Sequence, residues 1–273
     1  MVKRGISLHS LIPVRAEASE ASEQLTQMLF AETCDILSEQ PRWTKIRLHA
    51  DGQTGWVDFK MLTPLSDHEF ETLSQSSSKA RVRVPFALAV SPTNGQTFPL
   101  TAGTLLPNYH EGEFSILGAT LRIDPSSVLE QPLCLDAHNL MEVIRYFLNV
   151  PYLWGGKNAF GMDCSGFTQI ILSLFGKSLP RNASEQVIQG TPVAELTNAQ
   201  AGDLVFFDHT DQDPTRTCIS HVGIVLDPER VIHCSGRVKV EKLDFNGIFS
   251  RETTDSLHPD GQYTHHLAAI RRF

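Results

Sequence analysis

The sequence predicts an α+β protein that begins with small β-barrels. Three observations carry this. The first 130 residues are short β-like runs broken by turn signals, apolar residues switch to helical spacing at Asp136, and strand-like runs return after Gly190. Helices followed by a run of strands is the α+β arrangement. At 273 residues the chain suits two or three domains, and 41 % hydrophobic residues are enough to build their cores.

Residues 1–65 form the first block. MLFAETCDILSEQ, WTKIRLHA and TGWVDFKML read as strands, with turns at Gln40-Pro41 and Asp51-Gly52. Residues 66–80, SDHEFETLSQSSSKA, are polar and Ser-rich and read as a linker with a short helix in the first half. Residues 81–130 repeat the style of the first block in ARVRVPFALAV, TFPLTAGTLLPNYH and FSILGATLRI, as a diverged duplicate would. From Asp136, a plausible N-cap, DAHNLMEVIRYFLNV places apolar residues at 140, 143, 144, 147 and 148, and Pro151 ends the helix. A second helix spans about 164–175 and stops at Gly176, and ASEQVIQG makes a short third. GDLVFFD, HVGIVLD, ERVIHCSG, KVEKLD and HLAAIRRF then read as strands of an antiparallel sheet.

Bulk properties narrow the function. Lys and Arg number 23 against 31 Asp and Glu, a formal charge of −8 with no basic block, so no nucleic-acid partner is expected. No stretch approaches the roughly 20 apolar residues of a spanning helix, so no membrane partner is expected either. The start, MVKRGISLHSLIPVRAEASE, lacks the apolar core of a secretory signal. Five cysteines, an odd and widely spaced set, indicate free thiols and a reducing compartment. The expectation is a cytoplasmic protein without a metal or other cofactor.

The residues 161–168, GMDCSGFT, carry the chemistry. Cys164 follows a Gly- and Asp-containing turn and opens a helix, where unpaired amides and the helix dipole favour an anion and lower a thiol pKa. A lone cysteine is also readily a packed core residue. A nucleophile needs a base and something to orient it. His221 and His233 lie on successive strands joined by the turn DPER, which can bring them to one edge of a sheet. His221 would then take the thiol proton and His233 would orient its ring; packed strand histidines are the competing reading. Cys218, His221, His233 and Cys234 are zinc-ligand types, but neighbouring residues of one strand point to opposite faces, which separates His233 from Cys234. His265-His266 reads as surface decoration.

YLWGGKNAFGMDCSGFTQ, AGDLVFFD, HVGIVL and VIHCSG, in that order, resemble the motifs of NlpC/P60 cysteine peptidases, which are papain-like, over about residues 137–273. The first 130 residues resemble bacterial SH3 (SH3b) domains. The resemblance implies a papain-like catalytic domain behind two SH3-like barrels and a Cys164–His221–His233 triad. It also implies oxyanion donation from the Tyr152 hydroxyl and the Cys164 amide. The pairing resembles the γ-D-glutamyl-L-diamino acid endopeptidases of muropeptide recycling. These cut small murein peptides with a free N-terminal L-Ala, and in them an SH3b domain walls off bulky cross-linked wall. An N-acetylmuramoyl-L-alanine amidase, an acyltransferase on the same fold and a non-catalytic SH3b binding protein are the alternatives. Asp163 and Ser165 match positions that meet the substrate amine; the competing readings are that Asp163 caps the Cys164 helix and that Ser165 satisfies a first-turn amide. Glu23 is a second acid for that charge, against the reading of a solvated surface acid, and Trp154 either lines the cleft or packs beneath it. Gln53, in DGQTGW, stands where relatives often carry an aromatic, so the substrate wall is expected to differ there.

Overall fold

The computed structural model describes residues 2–208, 218–252 and 260–273. The chain divides into two compact units. The first comprises Met1–Leu133 with the short stretches Trp154–Ala159 and Ser173–Ser178, and the second comprises Cys134–Leu153, Phe160–Leu172 and Leu179–Phe273.

The first unit opens with seven strands: β1 (Arg4–Ser7), β2 (Leu11–Arg15), β3 (Gln24–Leu29), β4 (Thr33–Glu39), β5 (Trp43–Leu48), β6 (Thr54–Asp58) and β7 (Leu62–Leu65). They form one antiparallel sheet in the order β3-β2-β6-β5-β4-β1-β7. The period-2 alternation of β2 and β5 buries Ile12, Val14, Ile46 and Leu48 against Met28, Cys34 and Val57. Asp51 and Gly52 make the β5–β6 turn: Gly52 takes φ +77°, and Asp51 Oδ1 accepts from the Gln53 amide at 3.1 Å. The Gln53 side chain donates to the Thr54 carbonyl at 3.1 Å.

The segment read as a linker is more ordered than its composition suggests. Ser66 and Glu69 form a reciprocal capping box that starts α1 (Asp67–Ser74). Arg4 bonds Asp67 at 2.8 Å while its guanidinium lies 4.2 Å from the Phe70 ring centre. Phe70 and Leu73 pack on a core shared by both N-terminal blocks, in which Ile6, Phe30 and Leu65 meet Val82, Leu100 and Phe114. Two apolar residues on one face of a short helix therefore join the blocks. In the second block, β8 (Arg81–Val82) pairs with β13 (Val128–Leu129). The strands β9 (Ala87–Val90), β10 (Thr97–Leu100), β11 (Glu113–Ile116) and β12 (Ala119–Ile123) form a sheet ordered β10-β9-β12-β11. Leu117 and Gly118, both at positive φ, make the two-residue β11–β12 hairpin.

The second unit starts with α2 (Ala137–Ile144), capped by Asp136, whose side chain accepts from the Asn139 amide at 2.9 Å. Its apolar face buries Leu140, Val143 and Ile144. The two-residue strand β14 (Lys157–Asn158) belongs to the first unit; in the second, β15 (Gly161–Met162) precedes α3 (Cys164–Ser173), in which every residue from Cys164 to Leu172 is buried. Its buried polar residues Thr168 and Gln169 are hydrogen-bonded, Thr168 to the Ser165 carbonyl and Gln186, and Gln169 to the Leu179 carbonyl. After α4 (Ala183–Gln186) and β16 (Thr191–Pro192) come β17 (Leu204–Asp208), β18 (Ile219–Asp227), β19 (Arg230–Ser235), β20 (Arg237–Asp244), β21 (Gly247–Ser250) and β22 (Gln262–Arg272).

The expected antiparallel sheet is present, and it closes. In the order β16-β22-β17-β18-β19-β20-β21, β21 also pairs with β22, so the six strands β17 to β22 close into a barrel with β16 outside the ring. Val205, Phe207, Val225, Val231, Leu243, Ile248 and Ile270 pack together in its core. Gly247 makes the seam possible: it has φ +128°, and a Cβ there would lie 1.8 Å from the His265 carbonyl oxygen. Gly247→Ala is expected to cost about 1–3 kcal/mol of stability, read as a lower denaturant midpoint. An unchanged midpoint would show that closure does not depend on this glycine.

Candidate active site

The barrel register sets up the site. Phe207 pairs with His221 and Asp208 with Ile219, so a bulge beside His221 leaves Ser220 without a cross-strand partner. Gly223 pairs with His233, so His221, two residues from Gly223 on the same face, is the diagonal neighbour of His233. A Cβ on Gly223 would meet Val231 Cγ2 at 2.5 Å and His233 Cβ at 3.1 Å. The missing side chain therefore leaves His233 room to lean toward His221. His221 Nε2 and His233 Nδ1 are 2.8 Å apart, and His233 is wholly buried.

The same geometry repeats one strand further on. His233 pairs with Lys239 and Val231 with Glu241, so Glu241 is again the diagonal neighbour of His233. His233 Nε2 and Glu241 Oε2 are 2.8 Å apart, and Lys239 Nζ lies 3.2 Å from the same oxygen. Burial pulls the His233 pKa below its ordinary value, against the opposing pull of Glu241. Burial raises the Glu241 pKa, but hydrogen bonds from His233 and Ser250 outweigh it and leave the carboxyl at about 2. At neutral pH the pair is therefore a carboxylate facing a neutral imidazole.

Cys164 opens α3, and Asp163 caps that helix by accepting from the Gly166 amide at 2.7 Å. The Cys164 thiol takes backbone hydrogen bonds from Val222, the residue after His221, and from Ser165. The sequence predicts a lowered thiol pKa at this helix start, but burial, with the nearby Asp163 charge, pushes it up to about 11 despite those amides. Cys164 rests as a neutral thiol at pH 7 and needs a base. Tyr152 is half-buried, and its amide donates to the Gly236 carbonyl at 2.9 Å. Burial first, and then the neighbouring Cys164 and Asp163, raise the phenol pKa, so the hydroxyl remains a donor.

Asp163 and Ser165 sit in a buried network. Arg181, 2 % exposed, donates through both terminal nitrogens to the two Asp163 oxygens, and its Nη1 also reaches Ser165 Oγ at 2.8 Å. Gln186 holds the segment through Thr168 Oγ1 at 2.9 Å and the Ser165 carbonyl at 3.3 Å. Glu23 and Trp154 belong to the first unit, where Trp154 Nε1 donates to Glu23 Oε1 at 2.6 Å. Trp154 is 60 % exposed, so it is not a core residue there. The adjacent Gly155, at φ +73°, allows backbone approach to the Gln24 carbonyl.

One histidine departs from its expectation. His265 is buried rather than a surface residue, with its ring centre 4.3 Å from that of His221 and 5.8 Å from that of His233. Barrel closure puts β22 beside the histidine face, which strand periodicity alone does not reveal. Arg181 and Glu241 were also missed. Arg181 follows Pro180 in a loop that carries no periodic signal, whereas KVEKLD does contain the alternation that aims Glu241 to the face of Lys239. Cys234 donates to the Met162 carbonyl at 3.0 Å, and burial raises its pKa to about 12, so it is a packed thiol.

A buried thiol at a helix start, a hydrogen-bonded pair of imidazoles and a phenol donor, carried by helices and an antiparallel sheet, define the class: an α+β protein with a cysteine–histidine site. The particular kind follows from sequence comparison. The NlpC/P60 family matches residues 149–257, and the bacterial dipeptidyl-peptidase Sh3 domain matches residues 14–62. The chain thus carries an NlpC/P60 domain behind a bacterial SH3 domain. Its relatives include the gamma-D-glutamyl-L-lysine dipeptidyl-peptidases of Bacillus cereus and Bacillus subtilis. The first is 26 % identical over 79 % of this chain and 68 % of its own length, the second 27 % over 76 % and 71 %. The crystal structure of an NlpC/P60 family protein from Bacillus cereus shares the fold, with a TM-score of 0.79 at 20 % identity over 98 % of this chain and 99 % of that one. Among the described residues, no helix is long and apolar enough to cross a membrane.

Proposed function

We propose that the protein is a cysteine peptidase that hydrolyses the bond between γ-linked D-Glu and the diamino acid of small murein peptides with a free N-terminal L-Ala, in cell-wall peptide recycling. The observation that carries it is the 2.8 Å bond between His221 Nε2 and His233 Nδ1, with the amide of the next residue, Val222, donating to the Cys164 thiol. With Nε2 bonded to His233, Nδ1 is the His221 nitrogen that takes the Cys164 proton in this mechanism. The sulfur then attacks the γ-carbonyl carbon, and the Tyr152 hydroxyl and Cys164 amide donate to the oxyanion. The His221 imidazolium gives its proton to the leaving amine, the C–N bond breaks, and water hydrolyses the resulting thioester. The names of the two Bacillus relatives support the γ-D-glutamyl bond as the target.

Asp163 and Ser165 are the proposed contacts for the substrate ammonium, in a network whose carboxylate charge is already shared with Arg181. The test is digestion of L-Ala-γ-D-Glu-diaminopimelate, with its amine free or acetylated, followed by product masses. The expected products are L-Ala-γ-D-Glu and the diamino acid, from the free-amine peptide alone. Equal cleavage of the acetylated peptide would remove the amine requirement. Release of lactyl-muramic acid from a muropeptide, with the γ bond intact, would make the enzyme an amidase.

A further inference from the structure

The imidazole pair does not end at His233. Its outer nitrogen meets Glu241, and the three side chains run diagonally across β18, β19 and β20 on the face that also carries Val225, Val231 and Leu243 of the barrel core. The line therefore runs in a buried setting, where hydrogen-bond direction is strongly enforced. We propose that Glu241 is a positioning residue: by accepting the Nε2 proton of His233 it fixes the tautomers of both imidazoles, so that His221 Nδ1 is an acceptor.

The argument is one of donors and acceptors. A carboxylate only accepts, so His233 must present N–H at Nε2. A neutral imidazole with its proton on Nε2 has a lone pair on Nδ1. His221 must then donate from Nε2 across the 2.8 Å contact, which leaves its own Nδ1 without a proton. Removing the carboxylate frees both rings to reverse, and in the reversed chain His221 Nδ1 carries a hydrogen and cannot take another. The carboxylate also favours positive charge on the histidine pair when the Cys164 proton arrives.

Other groups facing the pair set the sign of that electrostatic effect. Lys239, on β20, lies 3.2 Å from Glu241 and opposes it, while also reaching Glu252 at 3.4 Å. Ser250, on β21, is wholly buried and hydrogen-bonds Glu241. His265, on β22, faces both rings. Removing the Glu241 charge while keeping its shape should lower the pH at which the pair becomes protonated, and removing Lys239 should raise it.

The kinetic consequence rests on the peptidase reading, but two readouts need no substrate. The first is the pH dependence of Cys164 alkylation by iodoacetamide, followed by mass spectrometry of the Cys164 peptide. The second is the 15N NMR signature of the His233 ring. In Glu241→Gln the acid limb of alkylation is expected to fall by about half a pH unit or more, and in Lys239→Met to rise. In Glu241→Ala the His233 ring is expected to lose its fixed Nε2–H signature. On substrate, Glu241→Gln is expected to lower kcat by about 10–100-fold with KM nearly unchanged. An acid limb unmoved in folded Glu241→Gln overturns the proposal, whatever happens to kcat. So does an unchanged His233 tautomer in folded Glu241→Ala; if that variant does not fold, the glutamine variant decides alone. If alkylation shifts as expected while no γ-D-glutamyl peptide is cleaved, the substrate assignment fails and the Glu241 assignment stands.

Discussion

Cys164→Ala is expected to lower hydrolysis of γ-D-glutamyl peptides by on the order of 10⁴-fold or more, with folding essentially intact. In the proposed mechanism the sulfur is the group whose bond to the acyl carbon divides the reaction into two steps, and no other described thiol stands at the same helix start. Cys234 is buried in a hydrogen bond to the Met162 carbonyl, and Cys34 lies in the first-unit core, so neither replaces it. Alanine fits the space and leaves the Asp163 cap in place, so the thermal midpoint should move by only a few degrees. Hydrolysis retained at the wild-type rate would sink the cysteine mechanism. A collapse of the thermal midpoint would instead show that the thiol is structural. The resting thiol, with its pKa near 11, adds a further expectation. In His221→Ala, Cys164 alkylation at pH 7 should fall steeply and recover toward the alkaline range, because only hydroxide then removes the proton.

Arg181→Ala is expected to destabilise the second unit by about 3–5 kcal/mol, the largest stability loss predicted here. Arg181 and Asp163 are both buried, and each satisfies the other through paired N–H···O bonds. Removing the cation strands a carboxylate beside Cys164, where its charge already raises the thiol pKa. Activity should therefore fall further than the lost stability explains, because the proton becomes harder to remove. Chemical denaturation of the single variant and of Arg181→Met combined with Asp163→Asn tests this. The double variant should recover a good part of the loss, since it leaves no unpaired buried charge. Strictly additive losses would mean that the two side chains are not coupled as their geometry requires.

Much of the site was legible before any fold was known. GMDCSGFT placed a thiol at a helix start because a helix needs a capping residue, and Asp163 supplies one. HVGIVLD and ERVIHCSG placed two histidines on adjoining strands because alternation and a short turn leave few other pairings. The closed seam was not legible, because β21 is a four-residue strand whose pairing with β22 depends on Gly247 and on contacts far along the chain. The role of residues 66–80 was also hidden, since composition records that a segment is polar and not that Phe70 and Leu73 share a face.

By itself, the sequence determined the α+β class, the order of elements and the residue types of the candidate site. These follow from local periodicity, capping and turn propensity, which are properties of neighbouring residues. Only the tertiary structure decided the protonation chemistry. It showed that burial raises the Cys164 thiol instead of lowering it, that Asp163 is matched by Arg181, that His265 stacks on His221, and that Glu241 terminates the imidazole line. The reason is that hydrogen-bond direction and desolvation depend on partners brought together by strand register and barrel closure, and no short window of sequence contains both members of such a pair.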